Sequence, residues 1–293
     1  MPTYDFRFGM LLPGILGMVM ALAVGPVLIR FARQVGLMDN PHSLDHKIHK
    51  KPTPLAGGLV LVLILMLIAT LSRAWQIEHI RVILIGALIV FGFGLADDFL
   101  NLSVPIKFLG QILAASVLIM NGYLVQFLDN VGILWYPMDQ IEWVNILVTL
   151  VWLVGITNAM NFLDSMDGQV AGLGLITFLL FLAATIESGQ SELAWLNSSV
   201  AGICVGLLFF NLAPPRLFLG DSGAQTLGFL AASVGIIYVP KNLDPLSTWF
   251  VPIMVLLVPI FDTTLVVVSR IQARKPIFQA GLDHTYHRLR RLG

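Results

Sequence analysis

Long apolar stretches recur along this chain at near-even spacing, and every second one runs into a short segment rich in carboxylates, amides or histidines. The polar segments are Asp39 to Gly58, Ala96 to Lys107, Asn158 to Gly168, Asn211 to Gly223 and Ser269 to Gly293. A helix needs about 20 mostly apolar residues to cross hydrocarbon. Apolar runs that come in pairs, out and back, return all of these polar segments to one face of a membrane. Ionisable groups gathered there are what a metal-dependent enzyme with a lipid-borne substrate requires.

Composition excludes the soluble alternative. Of 293 residues, 57% are hydrophobic and only 12% charged, against roughly 25% charged in soluble domains. The pattern predicts an all-α, polytopic integral membrane helical bundle forming a single domain over 1–293. Spans are expected at about 10–32, 55–72, 81–96, 107–121, 145–160, 170–187, 194–212, 223–240 and 248–269. The less apolar stretch 122–144 reads as an excursion on the far side. The run Met10 to Ile29 reads as a retained anchor rather than a signal peptide. Zero formal net charge gives no sign of nucleic-acid binding. A lone cysteine, Cys204, excludes an intramolecular disulfide and argues against a thiol metal site.

Orientation follows from Lys and Arg. With the N-terminus outside, thirteen of the seventeen fall in the loops after odd-numbered spans. The other face holds only Arg7, Arg73, Arg81 and Lys241. Positive residues favour the cytoplasmic side, so the five polar segments are expected in the cytoplasm.

Each segment has a chemical and a plain reading. Asp97-Asp98 closes the third span; paired acids at a bilayer edge are functional candidates, or simply mark a helix end in water. Asn158, Asn161, Asp164 and Asp167 recur every three residues, as along one helical face, and their oxygens suit Mg²⁺ or a sugar phosphate. Phe218-Leu-Gly-Asp221-Ser-Gly223 lets a backbone approach a ligand and opens a helix whose N-terminus attracts phosphate. His284, His287 and Arg288 form a cluster suited to phosphate. His46, Lys47, His49, Lys50 and Lys51 form another, with attraction to anionic lipid headgroups as the alternative.

Taken in order, these motifs resemble the polyprenyl-phosphate N-acetylhexosamine-1-phosphate transferase family, which includes the phospho-N-acetylmuramoyl-pentapeptide transferases. The resemblance rests on Asp39-Asn-Pro41 with Lys47 to Pro54 and Gly57-Gly58, Asp97-Asp98 with Lys107 and Gln111, Asn158 to Gly168, Asn211 to Gly223, and Asp283 to Arg288. Two departures stand out. His46-Lys47 replaces the Arg-Lys of many members, and the sequence reaches Gly293 where members usually continue into at least one more span. The family thus implies nine to ten spans. The histidine loop, Asp283-His-Thr-Tyr-His287-Arg288, is similar to the N-acetylglucosamine-1-phosphate branch and lacks the three consecutive histidines of the muramoyl-pentapeptide branch.

The resemblance implies transfer of a sugar phosphate from a UDP-N-acetylhexosamine to undecaprenyl phosphate at the cytoplasmic face of the inner membrane. It implies Mg²⁺, or Mn²⁺ in its place, on Asp221 with Asp97 or Asp164. Asp98 would act on the lipid phosphate. Asn211, Asp167 and Phe218 would hold uridine or sugar. Lys47, His49, Lys107, His284, His287 and Arg288 would clamp phosphates, with Asn158 and Asn161 beside them. The rival class is a transporter using Asp97, Asp98 and Asp262 as ion sites. The faces bearing Ile112, Leu113, Ser116 and Met120 suit either lipid or a homodimer.

Overall fold

The computed structural model describes residues 6–39, 52–125, 138–239 and 245–274. The basic cluster at 46–51, the histidine loop at 283–288 and residues 126–137 of the far-side excursion lie outside them. Every predicted apolar run is helical. The helices are α1 (Phe6–Gln34), α2 (Gly57–Leu71), α3 (Glu78–Leu100), α4 (Val104–Met120) and α5 (Met138–Phe162). They continue with α6 (Gln169–Glu187), α7 (Ser191–Asn211), α8 (Gly220–Ile237), α9 (Pro245–Val255) and α10 (Leu257–Gln272).

The chain is a multi-pass helical membrane protein. Five helices are long and apolar enough to cross: Leu11–Gln34, Glu78–Leu100, Glu142–Phe162, Gln169–Glu187 and Ser191–Asn211. The ninth predicted span, 248–269, is two helices bent by 69°. Pro259 explains the break, because it offers no N–H to the carbonyl of Val255 and its ring crowds that position. Helices α2 and α4 are apolar but shorter. Helix α5 begins at Met138 rather than near 145, so Asp139 and Glu142 belong to it.

Packing places one helix at the centre. In α8 nearly every residue from Gly220 to Ile236 is buried, the polar Ser222, Gln225, Thr226 and Ser233 among them. It lies chiefly against α3 and α5, with α2 and α6 adding to the enclosure, while α1 lies along α7. Lipid-facing surfaces carry Leu11, Ile15, Leu147, Val151 and Phe209, all largely exposed.

A two-residue antiparallel ribbon, β1 (Met38–Asp39) with β2 (Thr53–Pro54), ties the first polar segment to the bundle. The backbone then pairs with the loop before α8. The Phe218 N–H donates to the Pro54 carbonyl at 2.8 Å, and the N–H groups of Gly57 and Gly58 donate to the carbonyls of Phe218 and Leu219. The first and fourth polar segments, more than 150 residues apart in sequence, are thereby one structural unit.

Candidate active site

Helix α8 begins without a cap of its own. The preceding residue, Leu219, has an apolar side chain and makes no capping bond, and the first N–H groups of a helix need acceptors. Asp98 on α3 supplies them. Its Oδ1 accepts the Asp221 N–H at 2.8 Å, and its Oδ2 accepts the Ser222 N–H at 3.2 Å and the Ser222 hydroxyl at 2.6 Å. A carboxylate at a helix N-terminus is favoured by the dipole as well as by the bonds. The helix start that the sequence offers to a phosphate is thus met, at these two amides, by a side chain of the protein.

Two glycines make this approach geometrically feasible. A Cβ on Gly94 of α3 would lie 2.6 Å from the Ser222 Cα, and one on Gly58 of α2 would lie 2.3 Å from the Ser222 Oγ. Neither position admits a larger side chain without movement of the α8 terminus.

The carboxylate of Asp221 then points to a polar mouth built by α3, α4, α5 and α8. Lys107, from the first turn of α4, bridges Asp97 and Asp221, reaching Oδ2 of the latter at 2.9 Å. Asp97 is buried, and its Oδ1 also accepts the Leu102 N–H at 2.7 Å. Asn161 Nδ2 at 3.4 Å and Gln225 Nε2 at 3.2 Å donate to the same Oδ2 of Asp221. Three donors therefore converge on one oxygen, and none of them falls on Oδ1.

The Asn/Asp segment is not one helical face. Helix α5 ends at Phe162, so Asn158 and Asn161 are helical while Asp164 and Asp167 lie in the turn before α6. Gly168, at φ 76, closes that turn, a conformation glycine adopts without penalty. Asp164 is half-buried there, and burial, then the charges of Asp221, Asp98 and Asp39, push its carboxyl up to about 8. Asp167 is exposed. Asn211, expected to hold substrate, is buried and stitches two loops: its Oδ1 accepts the Gly168 N–H at 3.1 Å, and its Nδ2 donates to the Leu217 carbonyl at 2.9 Å. Phe218 is half-buried in the strand-like pairing with Leu55.

Comparison with known proteins identifies the group. Residues 80–239 match the family model described as glycosyl transferase family 4. The chain belongs to that family. This family member is 31% identical, over 95% of its length and 76% of the relative's, to a probable undecaprenyl-phosphate N-acetylglucosaminyl 1-phosphate transferase of Bacillus subtilis. It is 31% identical to a decaprenyl-phosphate N-acetylglucosaminephosphotransferase of Mycobacterium tuberculosis, over 92% of this chain and 73% of the relative. A phospho-N-acetylmuramoyl-pentapeptide-transferase of Halalkalibacterium halodurans is also 31% identical, over 78% of this chain and 74% of the relative.

Among the described residues, the structure brings together Asp97, Asp98, Lys107, Asn161 and Asp221, and sets Asp164 within their field. Asn158 joins indirectly, through Gln111 and Gln225. Lys47, His49, His284, His287 and Arg288 fall outside the described residues. Sequence alone gives Ser222 and Gln225 no role of their own; the signal for Gln225 is an amide one helical turn after Asp221.

The donor set suits an open metal site. Among the described residues no three His, Cys, Asp or Glu side chains form a cage. Mg²⁺, however, commonly keeps its waters and takes one or two carboxylates together with substrate phosphates. Asp221 and Asp97, neighbours across Lys107, and the charge-crowded Asp164 fit that arrangement.

Proposed function

We propose that this protein transfers N-acetylglucosamine-1-phosphate from UDP-N-acetylglucosamine to undecaprenyl phosphate. An oxygen of the lipid phosphate forms a bond to the sugar-linked phosphorus, the bond from that phosphorus to the UMP oxygen breaks, and UMP leaves. The product is the undecaprenyl-diphosphate sugar that starts a cell-envelope polysaccharide. The observation that carries this reading is the convergence of Asp97, Lys107, Asn161 and Asp221 from four helices onto one mouth, in a chain whose relatives bear these names. The greater share of the chain matched by the N-acetylglucosamine relatives favours them over the muramoyl-pentapeptide branch.

Both reactants are anions, so charge neutralisation dominates the barrier. Mg²⁺, held by Asp221 with Asp97 or Asp164, would supply it by offsetting charge on the diphosphate. Lys107 is the cation of the protein's own: paired with two carboxylates and partly exposed, it is placed to exchange them for phosphate oxygens as substrate enters. Asn161, already a donor to Asp221, offers its amide to sugar or phosphate. Asp98, with both oxygens engaged at the α8 terminus, acts by holding Asp221 in place, and general base catalysis is unnecessary for a nucleophile that is mostly ionised at neutral pH. The bundle would cross the membrane nine to ten times, and the Lys and Arg asymmetry supports an N-terminus outside and the mouth facing the cytoplasm of the inner membrane, where UDP-sugars occur.

Purified protein incubated with radiolabelled UDP-N-acetylglucosamine, undecaprenyl phosphate and Mg²⁺ should yield a labelled lipid and one equivalent of UMP. Absence of labelled lipid with the muramoyl-pentapeptide donor as well would remove the transferase reading and leave the transporter class.

A further inference from the structure

Behind Asp221 runs a chain of three amides with a direction. It begins at the Val154 carbonyl on α5, which accepts from Asn158 Nδ2 at 2.8 Å. The second hydrogen of Asn158 Nδ2 goes to Gln111 Oε1 at 2.6 Å, and Gln111 Nε2 returns a bond to Asn158 Oδ1 at 3.2 Å. Gln111 Nε2 then donates its other hydrogen to Gln225 Oε1 at 3.1 Å. Gln225 Nε2 faces Asp221 Oδ2 at 3.2 Å. Gln111 and Gln225 are each 2% exposed, so water does not substitute for a missing partner.

Both ends of this chain are acceptors only: a backbone carbonyl at one, a carboxylate at the other. Each amide between them has one oxygen and two N–H donors. If Asn158 turned over, its oxygen would face the Val154 carbonyl and every later amide would have to turn as well. Gln225 would then set its own oxygen against the carboxylate of Asp221. Two acceptor-to-acceptor contacts, one of them beside the enclosed Gln225, make that state costly. The carbonyl of Val154 thus dictates that Gln225 presents N–H to Asp221.

We propose that Gln225 is a positioning residue of the transfer reaction, holding Oδ2 of Asp221 through the Asn158–Gln111–Gln225 relay so that the carboxylate keeps one orientation for the divalent cation that Asp221 would hold. This rests on the function proposed above. A neutral amide suits the task for a physical reason. It fixes the plane of the carboxylate without cancelling its charge, whereas a second lysine in its place would compete with the cation. Lys107, exposed to the mouth, is free to leave Asp221; Gln225, sealed beneath it, keeps the carboxylate oriented when that happens.

The test uses the full-length protein in detergent with two readouts, Mn²⁺ binding without substrates by loss of the free-ion electron paramagnetic resonance signal, and UMP release as a function of Mg²⁺. Gln225→Leu removes the donor at similar volume. A hydrogen bond to a charged group contributes roughly 1.5–3 kcal/mol, so Mn²⁺ affinity should fall about tenfold to a hundredfold, with half-saturating Mg²⁺ rising in parallel. Asn158→Leu, two amides away from Asp221, should weaken Mn²⁺ in the same direction, and the double variant should lose less than the product of the two. Gln225→Met, which also lacks the donor and keeps the length of the side chain, serves if Gln225→Leu is not monodisperse, with the same weakening expected. Wild-type Mn²⁺ affinity in folded Gln225→Leu or Gln225→Met overturns the relay, as does a wild-type protein that binds no Mn²⁺. A wild-type protein that binds Mn²⁺ but releases no UMP overturns the proposed function instead, and the relay is then judged on binding alone.

Discussion

Replacing Gly94 by alanine tests whether the α8 terminus must sit where α3 holds it. The added methyl would lie 2.6 Å from the Ser222 Cα, 2.9 Å from its N and 3.1 Å from the carbonyl carbon of Asp221. These are backbone atoms, which cannot rotate away. Carbon–carbon contact is comfortable at about 3.5 Å, so the terminus must retreat by roughly 1 Å. The bonds from the Asp221 and Ser222 N–H groups to Asp98, now 2.8 and 3.2 Å, would stretch towards or beyond useful length. Overpacking of this kind costs about 1–3 kcal/mol, and a catalytic group misplaced by about 1 Å costs on the order of 10²-fold in rate. UMP release at saturating Mg²⁺ should therefore fall about a hundredfold in a protein that still elutes as a single species. Gly92→Ala is the internal control, because a Cβ there meets nothing within 4 Å, and its turnover should match wild type. Gly94→Ala at wild-type turnover would refute the claim that close α3–α8 contact positions Asp221.

Three further outcomes are expected. Asp221→Asn should abolish Mg²⁺-dependent UMP release while the protein stays folded, and undiminished wild-type turnover in EDTA would remove the metal assignment. Asp164 is held near 8, above the 3.8 of an ordinary aspartate, so the metal-free folded state keeps a proton that the unfolded chain gives up. Metal-free stability should fall as pH rises from about 4 towards 8, and cation affinity should climb over the upper part of that window as the proton is lost. Asp164→Asn should flatten the climb in Mn²⁺ titrations at pH 6, 7 and 8; an unchanged slope would exclude Asp164 as its source. Finally, a cysteine at exposed Ser165 should react only with reagents admitted to the cytoplasm and one at Ser191 only from outside, the native Cys204 being buried and silent. Outside labelling at Ser165 would invert the orientation.

Hydropathy and its rhythm were enough to establish the helical membrane class and to locate every apolar segment, because burial in hydrocarbon is decided by local composition. The same reading marked Asp97, Asp98, Lys107, Asn161 and Asp221, since acids, amides and a lysine beside apolar helices are costly without a purpose. It treated 248–269 as one span, where Pro259 breaks it, and ran Asn158 to Asp167 along one helix that in fact ends at Phe162. Roles depended on contacts the linear chain does not reveal. Asp98 looks like a free acid in sequence, yet it caps a helix that starts more than a hundred residues later, because Leu219 cannot. Asn211 looks like an isolated amide in sequence and in the fold braces two loops. Gln225 looks like an isolated polar residue and becomes the last donor of a directed amide chain. Sequence carries the cost of each polar group; which partner offsets that cost is settled only when α3, α4, α5 and α8 pack together and the hydrogen bonds at their junction must all be satisfied at once.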